Sequence, residues 1–363
     1  KRYMTTSLDI EIFLKKSGWE NFDRTRLKGD ASSRRYERVT SQNQNAILMI
    51  TPQAENKNYE ISSGKTKNRE SMGYNSLARL AGNKVEAFTC IAKELSIRGF
   101  SAPKIFASDL SKGLLLLEDL GDNLFSKFIQ NNVNQEKKLY LAAVDCLAAI
   151  YRSTFSKNLT FENSFWDLEL YDNVAMLAEV DLLLDWYAKD LGHQIDSQNK
   201  KIWHSIWKKL FINFESLAPG LGLRDFHAEN IFWLDERLGV EKIGLIDFQD
   251  ALFVHPSYDL VSLVEDARRD VSPELSEILI DRFCQQSGIK NDERFRSAYA
   301  IMGAQRNAKI LGIFIRLAKR DKKLQYLDFI PRVKGHLMKN LNSPCCDELK
   351  QWLEQNIPEI FYD

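Results

Sequence analysis

Asp225 and Asn230 stand five residues apart in LRDFHAEN, and Asp247 follows the apolar run IGLI seventeen residues beyond Asn230. Two aspartates and an asparagine supply hard oxygen atoms of the kind magnesium takes, and a carboxylate that can orient and deprotonate a hydroxyl. Such a set suits phosphoryl transfer, whose loose transition state is stabilised mainly by positioning and charge neutralisation. The expected roles are Asp225 facing the acceptor hydroxyl, and Asn230 and Asp247 holding Mg²⁺, with Asp247 as the main ligand. Taken singly, each also reads as a cap, a turn or a strand end. The joint spacing is what favours chemistry. His227, two residues after Asp225, is a second catalytic candidate, as a general base or as a brace for the loop.

These residues need rigid supports. The runs IFWL (231–234) and IGLI (243–246) read as short strands flanking turn residues, and the surrounding chain is helical in pattern over 136–153, 171–191, 198–217, 258–269, 273–287 and 294–320. Upstream, a leading helix is expected over 7–17 and another over 86–98. RLKGDASSRRYERV, AILMI (46–50) and the leucine run 114–117 read as a small antiparallel sheet. Between Thr51 and Val85 a stretch rich in Lys, Asn, Ser and Gly lacks periodicity and reads as a mobile excursion. The expected division is a leading helix over 1–20, a nucleotide-binding lobe over 21–119, and a catalytic and acceptor-binding lobe over 120–363.

The 363 residues are enough for two lobes, because single cores rarely grow past roughly 250–300 residues. Apolar residues at 44% and charged residues at 28% place the chain among globular proteins. Fifty Lys and Arg balance fifty Asp and Glu, so no global field favours nucleic acid or an anionic membrane, and neither is expected as a partner. Cys90, Cys146, Cys284, Cys345 and Cys346 show neither a C-x-x-C pair nor zinc spacing and read as reduced thiols of a cytoplasmic protein. The Cys345-Cys346 pair is open to redox or metal chemistry and is assigned no role. No apolar run reaches the roughly 18 residues of a membrane span. The start lacks a signal-peptide core, and Met4 reads as an initiator behind Lys1-Arg2-Tyr3. Lys28-Gly29-Asp30 lacks the G-x-x-x-x-G-K-[ST] pattern of a P-loop.

The pattern D-x-H-x-x-N followed by I-D-F-Q-D resembles the aminoglycoside phosphotransferase and choline kinase group. These are relatives of the protein kinases, whose H-R-D-x-x-x-x-N and D-F-G motifs stand at comparable spacing. The resemblance runs from about Arg26 to about Leu337. It implies an α+β, two-lobed protein-kinase-like fold, with a small antiparallel-sheet lobe and a mainly helical lobe, using ATP as co-substrate with Mg²⁺. It further implies that GDASSRRYERV covers the phosphates, with Gly29, Ser32 and Ser33 as backbone contacts. Glu118 to Leu120 would link the lobes and bind adenine through the backbone. Asp259, in PSYDL, would hold the catalytic-loop backbone, and His227 would brace the loop. One departure stands out: Met49, in AILMI, occupies the place of the lysine that pairs with the α- and β-phosphates. A substitute cation is expected from Arg34 or Arg35, preferably Arg34. Met49 also motivates an alternative of another class, an inactive nucleotide-binding fold, against which the complete set of Asp225, Asn230 and Asp247 argues.

Within the group, GDASSRRY, LLLLEDLGD, LRDFHAENIFW, DARRDV and QRNAKILGIFIRLAKRD resemble bacterial anomeric kinases of N-acetylmuramate and N-acetylglucosamine, which act in cell-wall recycling. That resemblance implies an amino sugar as acceptor; an aminoglycoside or choline-type acceptor is the alternative. Glu179, Asp181, Asp185, Glu265 and Asp266 could serve a polycation, whereas Arg268, Arg269, Arg306, Lys309 and Arg316 argue the other way. Arg306, Lys309, Arg316 and Lys319 recur at helical spacing and read first as a solvated face, with a sugar-carboxylate site as the alternative. Trp186 and Tyr187 read either as core or as an aromatic platform for a sugar face. Trp186 and Arg306 are the acceptor-binding candidates.

Overall fold

The computed structural model describes residues 5–27, 34–42, 44–52 and 84–362. Strands β1 (Asp23–Arg26), β2 (Arg35–Ser41), β3 (Gln44–Ile50), β4 (Ile105–Asp109) and β5 (Leu114–Glu118) form an antiparallel sheet in the order β1-β2-β3-β5-β4. Alternate side chains leave a strand on opposite sides, so the unbroken leucine run of β5 requires cover on both faces. Leu114 and Leu116 pack with Val39, Ala46 and Leu48 beneath Ile10, Phe13 and Leu14 of helix α1 (Ser7–Lys16). Leu115, Leu117 and Met49 belong instead to the larger core, together with Phe88, Ile91 and Leu95 of α2 (Val85–Ile97). A capping box starts α1: the Asp9 N–H donates to Thr6 Oγ1 at 3.1 Å and the Thr6 N–H donates to the Asp9 carboxylate at 2.9 Å. Between β4 and β5, Gly113 has φ +66°, and a Cβ there would stand 2.4 Å from the Thr51 carbonyl oxygen. The hairpin residues Gly29, Ser32 and Ser33, and all but the ends of the expected excursion, lie outside the described residues.

The second lobe is helical: α3 (Phe125–Asn131), α4 (Glu136–Arg152), α5 (Asn173–Leu182), α6 (Ser197–Phe211), α7 (Ser257–Val264), α8 (Pro273–Ser287), α9 (Glu293–Lys319), α10 (Ile330–Leu341) and α11 (Asp347–Asn356). Helix α9 is its axis, buried along most of its length. Small residues let its neighbours close in. A Cβ on Gly303 would lie 2.4 Å from the Asn340 side chain of α10, and one on Gly312 would lie 2.2 Å from the Leu182 carbonyl oxygen. Beyond Leu182 the helix widens into a π-helical turn, Leu183–Ala188. The helix expected over 258–269 stops at Val264, because the Asp266 carboxylate accepts the N–H groups of Arg268 (2.8 Å) and Ala228 (3.2 Å) and turns the chain towards the interlobe cleft.

Short strands carry the chemistry-bearing loops. After the hairpin β6 (Asn158–Phe161) and β7 (Ser164–Asp167) come β8 (Gly220–Gly222), β9 (Ile231–Trp233), β10 (Ile243–Leu245) and β11 (Leu252–Val254), with β8 paired to β11 and β9 to β10. The β9–β10 ribbon anchors to its surroundings. The Leu245 N–H donates to the Ser101 carbonyl at 2.9 Å, Ser101 Oγ donates to the Glu241 carbonyl at 2.6 Å, and Arg237 pairs with Glu118 at 2.5 Å. Among the described residues no helix is long and apolar enough to cross a membrane, and the five cysteines are free thiols.

Candidate active site

The loop between β8 and β9 is held from below by Asp259, in the first turn of α7. Its buried carboxylate accepts the N–H groups of Leu223 (2.5 Å) and Arg224 (2.9 Å), and burial pushes its pKa up to about 6. Arg224 sits at φ +72°, a left-handed conformation that costs a non-glycine residue roughly 1–2 kcal/mol. Its side chain is fixed by Glu179, which is 1% exposed and accepts Arg224 Nη2 at 2.6 Å. Glu179 also accepts the Tyr171 hydroxyl and lies 3.1 Å from Lys309 Nζ. Burial opposes charge on Glu179, yet Lys309 and Arg224 hold its carboxyl below the ordinary range. Arg306 completes the support by donating to the Arg224 carbonyl (3.0 Å) and the Tyr258 hydroxyl (3.2 Å).

On this foundation Asp225 opens into the cleft with its side chain 44% exposed, and Arg306 Nη2 stands 3.8 Å from its Oδ1. Burial disfavours the charged form, but Arg306, with His227, Lys309 and Arg224, outweighs it and keeps the Asp225 carboxyl below its usual pKa. The loop then folds back through the His227 N–H to the Asp225 carbonyl (3.1 Å) and the Asn230 N–H to the His227 carbonyl (2.9 Å). Asn230 Nδ2 donates to the Asp225 carbonyl (3.0 Å) and to Asp247 Oδ2 (3.3 Å), and lies 3.2 Å from His227 Nε2. The three polar residues read from spacing thus converge. His227 is buried, which pushes its pKa below the normal value, as does Arg268, while Asp266 opposes the shift. A neutral imidazole can accept from the Asn230 amide.

Asp247 follows β10 at φ +58°. Burial, then repulsion from Asp225, raises its pKa, while the bond from Gln249 Nε2 to Oδ1 (2.6 Å) and the charge of Arg34 act against the rise. Two mutually repelling carboxylates with an asparagine between them form an oxygen-rich place for a hard cation. Among the described residues no group of three or more His, Cys, Asp or Glu side chains is arranged to hold a metal.

The cleft, about 1430 Å³, is larger than a typical single-ligand pocket and has room for two substrates. Leu27, Ile47, Leu117, Phe232 and Ile246 give it an apolar lining, to which Glu118 and Leu120 also belong. The Glu118 side chain is turned to Arg237 and the Lys104 N–H. Arg34 and Tyr36 also line the cleft; burial pushes the Tyr36 hydroxyl up to about 12, against the pull of Arg34. Met49 is fully buried in the core cluster that contains Phe88, and Phe88 stacks on Phe248, with ring centroids 4.9 Å apart and planes at 25°. Apolar contact therefore occupies the region where a lysine–glutamate pair was in question, and among the described residues the charge of Arg34 favours the ionised form of Asp247.

Two expectations change. The stripe Arg306, Lys309, Arg316, Lys319 is not a solvated face: Arg306 and Lys309 are 6% and 7% exposed and line the cleft, because α9 runs through the lobe rather than over it. Only Lys319 behaves as a surface residue, paired with Asp190. Trp186 does not join the cleft lining; it packs half-buried against the core from the π-helical turn. Of the acids considered for a polycation, Glu179, Glu265 and Asp266 line the cleft while engaged by protein partners, and Asp181 and Asp185 lie off it. Asp181 binds Lys200 and His204, Asp185 faces Lys189, and buried Glu265 accepts from Asn307 (2.7 Å) and Asn340 (2.8 Å). Sequence reasoning missed the cluster of Glu179, Arg224, Tyr171, Tyr258 and Lys309; its readable trace was the arginine directly preceding Asp225.

Residues 23–299 match the phosphotransferase enzyme family. An N-acetylmuramate/N-acetylglucosamine kinase of Caulobacter vibrioides is 38% identical over 359 residues, 98% of this chain and 99% of the relative. A kinase of the same description from Neisseria meningitidis is 30% identical, over 65% of this chain and 70% of the relative. Among solved structures, choline kinase LicA from Streptococcus pneumoniae superposes with a TM-score of 0.58 at 13% identity, covering 92% of this chain and all of the other. The ADP-bound aminoglycoside phosphotransferase APH(2'')-Ib gives 0.55 at 13%, covering 92% and 98%. At such identities these two structures speak for the fold.

Proposed function

The chain belongs to the phosphotransferase enzyme family and is a small-molecule kinase; on that premise we propose that it transfers the γ-phosphoryl group of Mg-ATP to the anomeric hydroxyl of N-acetylmuramate or N-acetylglucosamine. The observation that carries the catalytic part is the convergence of Asp225, Asn230 and Asp247 on one loop system. The sugar oxygen forms the new bond to phosphorus, the bond from phosphorus to the β–γ bridging oxygen breaks, and the hydroxyl proton passes to the Asp225 carboxylate. Asp225, kept ionised by Arg306 and its neighbours, orients that hydroxyl. His227 braces Asn230, and Arg34 reaches the phosphates from the small lobe. Asn230 and Asp247 would hold Mg²⁺, which when bound neutralises charge on the phosphates.

The acceptor half favours a sugar over a quaternary amine or polycation. Asp266 and Glu265 are engaged by backbone N–H groups and amides. The aromatic faces of Tyr326 and Phe329, which could cage a choline headgroup, already lie beneath the Arg268 guanidinium. The test is ADP release with Mg-ATP and a panel of N-acetylmuramate, N-acetylglucosamine, choline and kanamycin. Turnover of the two sugars is expected, with Asp225→Ala lowering kcat by about 10²–10⁴ and Asp247→Ala weakening Mg-dependent nucleotide binding. Preference for choline or kanamycin, or full activity in Asp225→Ala, would overturn the proposal.

A further inference from the structure

Asp247, Phe248 and Gln249 form the motif D-F-Q, which carries a side chain where the protein-kinase motif D-F-G has none. Asp247 holds a left-handed backbone at φ +58°, which a non-glycine residue keeps only where its surroundings over-determine it. Constraints lie on either side. Before it, the Ile246 N–H donates to the Asn230 carbonyl at 3.2 Å. After it, the Phe248 ring is fully buried and stacked on Phe88, and the Phe248 carbonyl accepts the Ala251 N–H at 2.9 Å. These contacts place the Asp247 backbone, but a backbone alone does not set the turn of the carboxylate.

Two amides do that. Asn230 Nδ2 donates to Oδ2 at 3.3 Å and Gln249 Nε2 donates to Oδ1 at 2.6 Å. The first bond is long and the second short, so Gln249 is the firmer hold. Gln249 is 4% exposed, and its Oε1 is buried with no partner among the described residues. Turning the amide over would set oxygen against oxygen at Oδ1, so the side chain keeps its donor on the carboxylate even though its carbonyl stays unpaired. An ionised carboxylate has about four lone-pair sites, and one amide on each oxygen leaves the others for a cation. We propose that Gln249 is the positioning residue of Asp247: its amide orients the carboxylate towards the magnesium of Mg-ATP, and it acts on nucleotide binding only through that carboxylate. The inference rests on the reading of Asp247 as a magnesium ligand proposed above.

The experiment measures ATP affinity by titration calorimetry, with Mg²⁺ and again in EDTA, and Mn²⁺ binding to the nucleotide complex by electron paramagnetic resonance. The proteins are the wild type, Gln249→Met, Gln249→Asn and Asp247→Ala. Methionine keeps the length and packing without the amide, and asparagine keeps the amide but falls one methylene short of the carboxylate. Both Gln249 variants are expected to weaken Mg-ATP and Mn²⁺ binding by about 10- to 100-fold and to leave ATP affinity in EDTA unchanged. In the Asp247→Ala background, Gln249→Met should add nothing. Unchanged Mg-ATP and Mn²⁺ affinity, equal losses with and without metal, or a further loss in the double variant overturns the positioning role and leaves Asp247 its own. An Asp247→Ala variant that binds Mg-ATP as the wild type does overturns the metal reading and the inference with it.

Discussion

Replacing Glu179 by glutamine preserves the shape of the side chain and removes the charge that two buried cations share. Arg224 Nη2 is 2.6 Å from one carboxylate oxygen and Lys309 Nζ is 3.1 Å from the other. At an effective dielectric near 20, each attraction is worth about 5–6 kcal/mol gross. Desolvation of all three groups offsets much of this, and breaking a buried pair by removing one partner costs about 3–5 kcal/mol in practice. We expect Glu179→Gln to lose about that much stability, read as the product of the urea m-value and the shift in midpoint. Because Arg224 at φ +72° leads directly into Asp225, kcat should fall at least about tenfold, with KM for ATP much less affected. A double-mutant cycle with Lys309→Met separates pairing from packing: the charge argument requires the second substitution to be milder in the Glu179→Gln background by about 1–3 kcal/mol. A loss below about 1 kcal/mol in the single variant, or strict additivity in the cycle, would refute the reasoning.

Met49→Lys tests whether the cleft can take back the residue type expected at that strand position. With Phe88 and the apolar core around it, an ammonium there is buried without an acid, so a loss of at least about 3 kcal/mol in chemical denaturation is expected, with no fall in KM for ATP; a stable variant that binds ATP more tightly would contradict the apolar replacement. Glu265 bears on pH: burial raises its folded pKa from 4.5 to about 7, so the stability it contributes is fully present below about pH 4.5 and is lost as pH rises through 7. Relative to Glu265→Gln, the wild type should therefore lose about 3 kcal/mol between roughly pH 4.5 and 8; parallel stability profiles for the two proteins would count against a raised pKa.

Periodicity located α8 and α9 to within a residue because α8 has an N-cap serine followed by proline and a glycine just past its end, and because α9 is long. The spacing of Asp225, Asn230 and Asp247 was legible because all three belong to one local strand-loop-strand system. What remained hidden depends on contacts distant in sequence. Glu179 and Lys309 stand 45 residues before and 85 residues after Arg224, and in sequence the one reads as a candidate partner of a polycation and the other as part of a solvated face, never as a pair. The mistaken solvated face on α9 had a warning in Gly303, Ala304, Ala308 and Gly312, small residues that mark a helix approached closely from several sides. Trp186 misled because helical spacing does not reveal which side of a π-helical turn meets a cavity.

The Arg224–Glu179 pair also bears on how such an enzyme is governed. Protein kinases commonly keep an arginine waiting near the catalytic loop, and a phosphorylated activation segment docks on it to order the site. Here the arginine adjoining Asp225 has its anion supplied from within the same lobe, at 2.6 Å and almost sealed from solvent. A phosphate arriving from outside would have to displace a buried carboxylate that also holds Lys309 and Tyr171. The loop is thus held by contacts internal to its own lobe, from Asp259, Glu179 and Arg306.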